Sequence, residues 1–338
     1  MRAVGYQQSL PIDSEASLMD IELPRPEPGA RDLLVEVRAI SVNPVDTKVR
    51  RRAVPEPGTY KVLGYDAAGI VRAVGSEASL FKPGDEVFYA GAITRSGTNA
   101  EFHAVDERLV GRKPARLSFE EAAALPLTTL TAWETLFDRL DIRRPVKGAA
   151  HAILIVGGAG GVGSIAIQLA RRLTDVTVIA TASRPETQEW CRTLGAHHVI
   201  DHTKPLAEQV KALGIGAPAF VFSITHTEAH FPEIAEMIAP QGRFALIDDP
   251  QNPIDIRLLK GKSVSIHWES MFTRSTFQTA DMERQHEILN EAAHLVDDGT
   301  IRTTLADVMG PIDAAHLRKA HAFIESNRAR GKIVLAGF

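Results

Sequence analysis

The sequence predicts an α/β protein in which a doubly wound parallel sheet accompanies a second, mainly antiparallel, barrel-like β domain. Three observations carry that expectation. The first hundred or so residues hold short β-branched runs broken by Pro and Gly, the pattern of an antiparallel, barrel-like β domain. From about Leu125 onward, apolar runs of strand length alternate with helical stretches, which implies βαβ units and a parallel sheet covered on both faces. A glycine-rich turn lies at the first strand–helix junction of that alternating part. A length of 338 residues suits about two domains at roughly 150 residues each.

Leu33–Ser41, Ala67–Val74 and Glu86–Ala90 read as strands, the last introduced by the turn Lys82-Pro83-Gly84-Asp85. Ala152–Val156 is then an apolar run with helical spacing behind it at Val162–Leu173. Val176–Thr181 is a second run, followed by a helix at Glu186–Leu194. His198–Ile200, Phe220–Phe222 and Phe244–Ile247 continue the strand series, with helices near Leu206–Leu213 and Glu228–Ile238 between them. After Arg257 the alternation stops. Helices are expected around Met282–Val296 and Asp313–Ser326, and a last strand at Lys332–Ala336 is expected to rejoin the first domain.

Thirty-eight Lys and Arg against 42 Asp and Glu leave a formal charge of −4, with no basic stripe to neutralise phosphates, so a dedicated nucleic-acid binder is excluded. The single cysteine, Cys191, supports neither an intramolecular disulfide nor a cysteine-rich zinc cluster. The first residues lack the apolar core of a signal peptide and no segment approaches bilayer length, so a cytoplasmic protein without a membrane partner is expected.

The stretch Gly158-Ala159-Gly160-Gly161-Val162-Gly163 fits G-x-G-x-x-G between a strand and a helix. Glycines there permit a tight turn, close backbone approach to a pyrophosphate and close strand–helix packing, and the helix N-terminus faces the phosphates. Gly158, Gly160, Gly161, Val162 and Gly163 are therefore candidate cofactor residues. About 20 residues on, where an NAD site carries an acidic residue, the chain reads Thr181-Ala182-Ser183-Arg184. With no carboxylate there to repel a 2′-phosphate, and a hydroxyl and a guanidinium to hold it, Ser183 and Arg184 indicate NADPH.

Of twelve histidines, His197, His198 and His202 fall near the third strand of the parallel series and His226 and His230 near the fourth, with no H-E-x-x-H pair. Ser164 lacks the G-x-S-x-G frame of a hydrolase nucleophile.

Asn43-Pro44-Val45-Asp46, Leu63-Gly64-Tyr65-Asp66-Ala67-Ala68-Gly69, Lys82-Pro83-Gly84-Asp85-Glu86-Val87, Leu125-Pro126-Leu127-Thr128-Thr129-Leu130-Thr131-Ala132-Trp133, the glycine loop and Gly331-Lys332-Ile333-Val334-Leu335 occur in one order. Together they resemble the medium-chain dehydrogenase/reductase superfamily, and most of all its zinc-independent quinone oxidoreductases, including the zinc-type alcohol dehydrogenase-like branch. The resemblance implies a GroES-like catalytic domain, residues 1–125 and 262–338, interrupted by a Rossmann NADP(H)-binding domain, residues 126–261. It also implies cofactor contacts at Thr128, His202 and Lys332, and a homodimer.

Where zinc members of that family carry their catalytic ligands, this chain resembles them in frame but has Asn43, Tyr65 and Leu127, so no metal is expected. Asn43 and Tyr65 are candidate donors to a developing oxyanion, although Asn43 also suits a turn ahead of Pro44 and Tyr65 suits packing between strands. The expected activity is NADPH-dependent hydride transfer to a small-molecule electron acceptor, a quinone or a related enone or carbonyl compound. The alternative is an NADPH-binding redox sensor or structural protein with little turnover.

Overall fold

Both ends of the chain build one unit. In the computed structural model, which describes residues 1–338, Met1–Leu130 and Phe272–Phe338 form the first unit and Thr131–Met271 the second. In the first, β1 (Arg2–Tyr6) pairs antiparallel with β2 (Met19–Glu22). β3 (Asp32–Val42) follows, and Leu33, Val35, Val37, Ile40 and Val42 all enter the core of the unit. The chain then turns into α1 (Pro44–Arg52). That turn is local chemistry: Asn43 is extended, Pro44 supplies a helix-ready φ, and the Asp46 carboxylate accepts the Asn43 N–H at 2.8 Å.

β4 (Lys61–Val62) returns to β1. β5 (Ala67–Val74), β6 (Glu86–Tyr89), β7 (Phe102–Asp106) and β8 (Val110–Arg112) extend the sheet around β3, which pairs antiparallel with both β5 and β7. α2 (Phe119–Ala123), opened by a Ser118/Glu121 capping box, leads to α3 (Pro126–Trp133) and a single π turn at Glu134–Arg139.

The second unit alternates without a break: β9 (Ala150–Val156), α4 (Gly161–Leu173), β10 (Thr177–Thr181), α5 (Pro185–Leu194), β11 (His198–Ile200), α6 (Leu206–Ala212), β12 (Pro218–Ser223), α7 (Thr227–Met237) and β13 (Arg243–Leu246). A further strand, β14 (Ser265–Trp268), lies parallel to β13 with Arg243 opposite Ser265 and Leu246 opposite Trp268. The sheet is wholly parallel in the order β11-β10-β9-β12-β13-β14, a doubly wound arrangement whose strand order reverses beside β9. β14 lies beyond Arg257, where the alternation was expected to stop. Its four residues at the sheet edge carry no continuous apolar run, so nothing local announces it.

The chain then rejoins the first unit through α8 (Thr273–Phe277), α9 (Arg284–Asp297), β15 (Leu305–Val308), α10 (Ala314–Glu325) and β16 (Lys332–Ala336). β16 runs antiparallel to β3, Ile333 opposite Val42, and parallel to β15. α10 meets α1, where the buried Arg50 guanidinium donates to Glu325 at 2.6 Å.

Two imidazoles are sealed into this unit. His103 stacks on Tyr89 and shares hydrogen bonds with the Tyr89 hydroxyl and the Ser96 carbonyl, and burial lowers its pKa to about 4. His321, on α10, is fully buried with no partner on either ring nitrogen. Burial first, and then the nearby Arg50 charge, lower its pKa to about 3. No helix is long and apolar enough to cross a membrane.

Candidate functional site

Each unit contributes one candidate constellation. In the second unit, β9 ends at Val156 and the chain turns at Gly157, whose φ of +88° favours glycine. The Gly157 N–H donates to Thr181 Oγ1 at 3.0 Å and the Gly158 N–H to the Thr181 carbonyl at 3.1 Å, so the loop is tied to the end of β10.

The glycines have distinct tasks. A Cβ on Gly158 would meet Ala180 Cβ at 2.8 Å, and one on Gly163 would meet the Gly157 carbonyl oxygen at 2.3 Å. A Cβ on Gly160 would meet only the Gly157 oxygen, at 3.6 Å, so the chain itself leaves that space open. Gly160 caps α4 in an extended conformation, and the N–H groups of Gly161, Val162 and Gly163 belong to the first helical turn, where no intrahelical acceptor is available. An open surface over unpaired donors at the N-terminus of a 13-residue helix suits a pyrophosphate.

Ser183 and Arg184 follow β10, and Arg184 caps α5 with its Nε 3.1 Å from Glu186 Oε1. Glu186 was not among the residues singled out from sequence, although its place two residues after Arg184 at a helix start was visible. His202 follows β11 half-buried. Burial lowers its pKa, and Asp201, His226 and Arg184 lie close enough to act on its charge. The segments after β10, β11 and β12 therefore converge, at the edge of a doubly wound sheet where ligands bind.

In the first unit, β3, the segment before β5, β16 and the start of α3 meet in a buried polar cluster. Asp66 Oδ1 accepts the Leu127 N–H at 2.7 Å, while Oδ2 accepts from Asn43 Nδ2 at 2.7 Å and from the Ser41 hydroxyl at 3.3 Å. Lys332 Nζ donates to Asp66 Oδ2 and to the Val42 carbonyl, each at 3.1 Å, and to Asn43 Oδ1. Asp46 accepts the N–H groups of Asn43 and Gly64 at 2.8 and 2.9 Å.

Burial pushes the Asp66 carboxyl up and the Lys332 ammonium down. Their mutual charge and the full set of donors and acceptors around them favour the ionised pair. Asp46 lies deeper in this balance, and burial raises its pKa to about 7.

These contacts bear on two expectations. Asn43 was expected to offer a hydrogen bond to an oxyanion, but its carboxamide nitrogen is committed to Asp66 and the Ser41 carbonyl and its oxygen to Lys332. Lys332 was expected at the cofactor, but its three N–H groups already have three acceptors inside the unit. Thr128 is buried on α3, its hydroxyl donating to the Leu125 carbonyl at 3.1 Å. Tyr65 packs edge-on to Phe272, ring centroids 5.4 Å apart, and no side-chain hydrogen bond ties its hydroxyl. Burial, then Asp46 and Tyr6, raise its pKa, so it keeps its proton and remains a donor.

A zinc ion prefers thiolate and imidazole, and the residues in this cluster do not fit one. The side chains around it are carboxylates, a carboxamide and an ammonium, and no three His, Cys, Asp or Glu side chains converge anywhere in the chain.

Residues 29–128 match the alcohol dehydrogenase GroES-like domain and residues 194–335 match a zinc-binding dehydrogenase family. A zinc-type alcohol dehydrogenase-like protein of Staphylococcus epidermidis is 38% identical over 99% of both chains. A 2-methylene-furan-3-one reductase of Solanum lycopersicum is 30% identical over 98% of this chain and 76% of its own. Among solved structures, a putative zinc-dependent alcohol dehydrogenase protein from Rhizobium etli superposes with a TM-score of 0.98 at 66% identity, covering 100% of this chain and 98% of that one. The Escherichia coli quinone oxidoreductase complexed with NADPH superposes with a TM-score of 0.82 at 25% identity, covering 99% and 100%.

Proposed function

The chain belongs to the medium-chain dehydrogenase/reductase family, and on that footing we propose that it is an NADPH-dependent reductase of quinones or related enones and carbonyl compounds that works without catalytic zinc. The observation that carries this reading is the open space at Gly160 above the unpaired N–H groups of α4. The enone reductase and the NADPH-bound quinone oxidoreductase among the similar proteins support the substrate class and the cofactor.

Bound NADPH would supply the hydride. The glycine loop holds the pyrophosphate by its backbone, and Ser183 and Arg184 take the 2′-phosphate. Tyr65, protonated and uncommitted, donates a hydrogen bond to the oxygen that gains electron density in the acceptor. Asn43 positions Asp66 and Lys332 and does not touch the acceptor.

The test is loss of NADPH absorbance with a panel of quinones, enals and enones. Tyr65→Phe is expected to lower kcat on enones by roughly a hundredfold, the usual scale for one oxyanion donor, with NADPH affinity unchanged. Quinones should lose less, because reduced quinone oxygens take protons from water. Equal kcat for Tyr65→Phe and wild type on every substrate would remove Tyr65 from the reaction. A second reading, an NADPH-binding redox sensor, is favoured by one observation: Asn43 and Lys332 are spent inside their own cluster, so Tyr65 is the sole remaining donor of the candidate set. Tight NADPH binding with no turnover across the whole panel would establish that reading instead.

The Arg184–Glu186 contact sharpens the cofactor test. A charge-assisted hydrogen bond to a 2′-phosphate is worth about 1.5–3 kcal/mol, roughly ten- to a hundredfold in affinity. Because Arg184 already has Glu186 at 3.1 Å, Arg184→Ala should fall at the low end, near tenfold. Glu186→Gln should tighten NADPH binding by removing a negative charge from beside the phosphate. NADH affinity should be unchanged in both variants. Equal effects on NADH and NADPH would show that Arg184 does not read the 2′-phosphate.

A further inference from the structure

We propose that the Lys332 ammonium is a built-in cation, a covalently tethered charge seated between Asn43 Oδ1, Asp66 Oδ2 and the Val42 carbonyl in the part of the fold where zinc would be held. The zinc-binding description of the matching family and the donor set found here disagree, and the disagreement has a specific content. The positions that resemble ligand sites carry Asn43, Tyr65 and Leu127, and the cluster they border is centred on a positive charge delivered from β16. Three ammonium N–H groups meet three oxygen acceptors, so the seat is chemically full. A chelator cannot remove such a charge and a competing metal cannot exchange with it.

Lys332 then acts as a positioning residue. Its charge keeps Asp66 ionised, and the other oxygen of Asp66 pins the Leu127 N–H at the start of α3, one residue from Thr128. Asn43 is held between the two charges and ties them to the turn into α1. The cation thus joins β3, β16, α1 and α3 at one point.

The test is chemical replacement. Lys332→Ala keeps Cβ and deletes the equivalent of propylammonium. Purified Lys332→Ala should melt on the order of 10 °C below wild type, since a buried carboxylate loses its partner. Added propylammonium chloride should raise that melting temperature, bind the variant and not the wild type in calorimetric titration, and restore turnover. 1-Propanol, which fills the same volume without charge, should do none of these.

Equal recovery with propanol would overturn the proposal, because packing would then explain the loss. So would about one zinc per chain in the wild type by elemental analysis, with activity lost on chelation. If Lys332→Ala does not fold, Lys332→Met and Lys332→Met/Asp66→Asn replace it. The double variant should melt above the single one, and failure to do so also overturns the proposal. The turnover readout alone rests on the reductase reading. A variant that binds propylammonium and regains its melting temperature, beside a wild type that never oxidises NADPH, would sink that reading and leave the built-in cation standing.

Discussion

Gly160→Val is expected to lose NADPH affinity by roughly a hundredfold or more, about 2.7 kcal/mol, while melting close to the wild type. The unbound chain has room for the new side chain, since the only atom near a Cβ there is the Gly157 oxygen at 3.6 Å, and Gly160 has an extended backbone that any residue adopts. The branched side chain therefore stands in the space the pyrophosphate needs and strains little else. Gly163→Val should behave in the opposite way. Its Cβ would lie 2.3 Å from the Gly157 oxygen and 2.7 Å from Gly158 Cα, so backbone must move. A loss of more than about 4 kcal/mol is expected, enough to leave little folded protein. Calorimetric titration and thermal melts of the pair separate ligand collision from fold collision. Wild-type NADPH affinity in Gly160→Val would place the cofactor elsewhere and remove the main support for the proposed activity.

The second large effect is acid lability. His103 and His321 fold neutral with pKa values lowered to about 4 and about 3, whereas in the unfolded chain both take up a proton near pH 6.5. Between about pH 6.5 and 4 the unfolded state therefore binds more protons at these sites, and their contribution, complete above pH 6.5, is lost as pH falls. Asp46 opposes them. Raised to about 7, it holds a proton in the folded state, so its contribution is present below the ordinary carboxylate pKa and is lost as pH rises through 7.

Each imidazole taken by itself is worth at most one proton, roughly 1.4 kcal/mol per pH unit. His321→Leu should remove one of the two imidazole contributions. It should also be neutral or stabilising at pH 7.5, because it deletes two ring nitrogens that have no partner. Urea melts at pH 7.5 and pH 5 measure the gap between variant and wild type. The gap should widen in favour of Leu at pH 5, and an unchanged gap would mean that His321 does not titrate on unfolding.

Much of the second unit was legible because its strands are buried on both faces. β9, β10 and β12 read as unbroken β-branched or aromatic runs, and the structure differs from the expected bounds by one or two residues at an end. β14 and β2 escaped for the opposite reason: each is four residues long and exposed or half-exposed, so neither carries a continuous run. α1 is announced by Asn43-Pro44-Val45-Asp46, a helix-start signal of which the expectation captures only the turn ahead of Pro44.

The glycine loop was legible because phosphate contact demands fixed local spacing. The Asp66 cluster was not, although Asp46 and Asp66 both stand inside motifs singled out from the sequence. Its members contact one another across 23 and 266 residues, and pairing at that range leaves no local pattern.

That range also bears on how the protein is made. At about 5–20 residues per second, a ribosome takes roughly 13–53 s to travel from Asp66 to Lys332, 266 residues later. Throughout that interval the carboxylate has no countercharge and β3 lacks β16 as a neighbour. A chain that stops after the inserted unit but before β16 can complete the parallel sheet but not the first unit, and it exposes an unmet carboxylate and an open strand edge to chaperones and proteases. β16 thus certifies the first unit: Asp66 meets its countercharge only in a copy translated at least as far as Lys332.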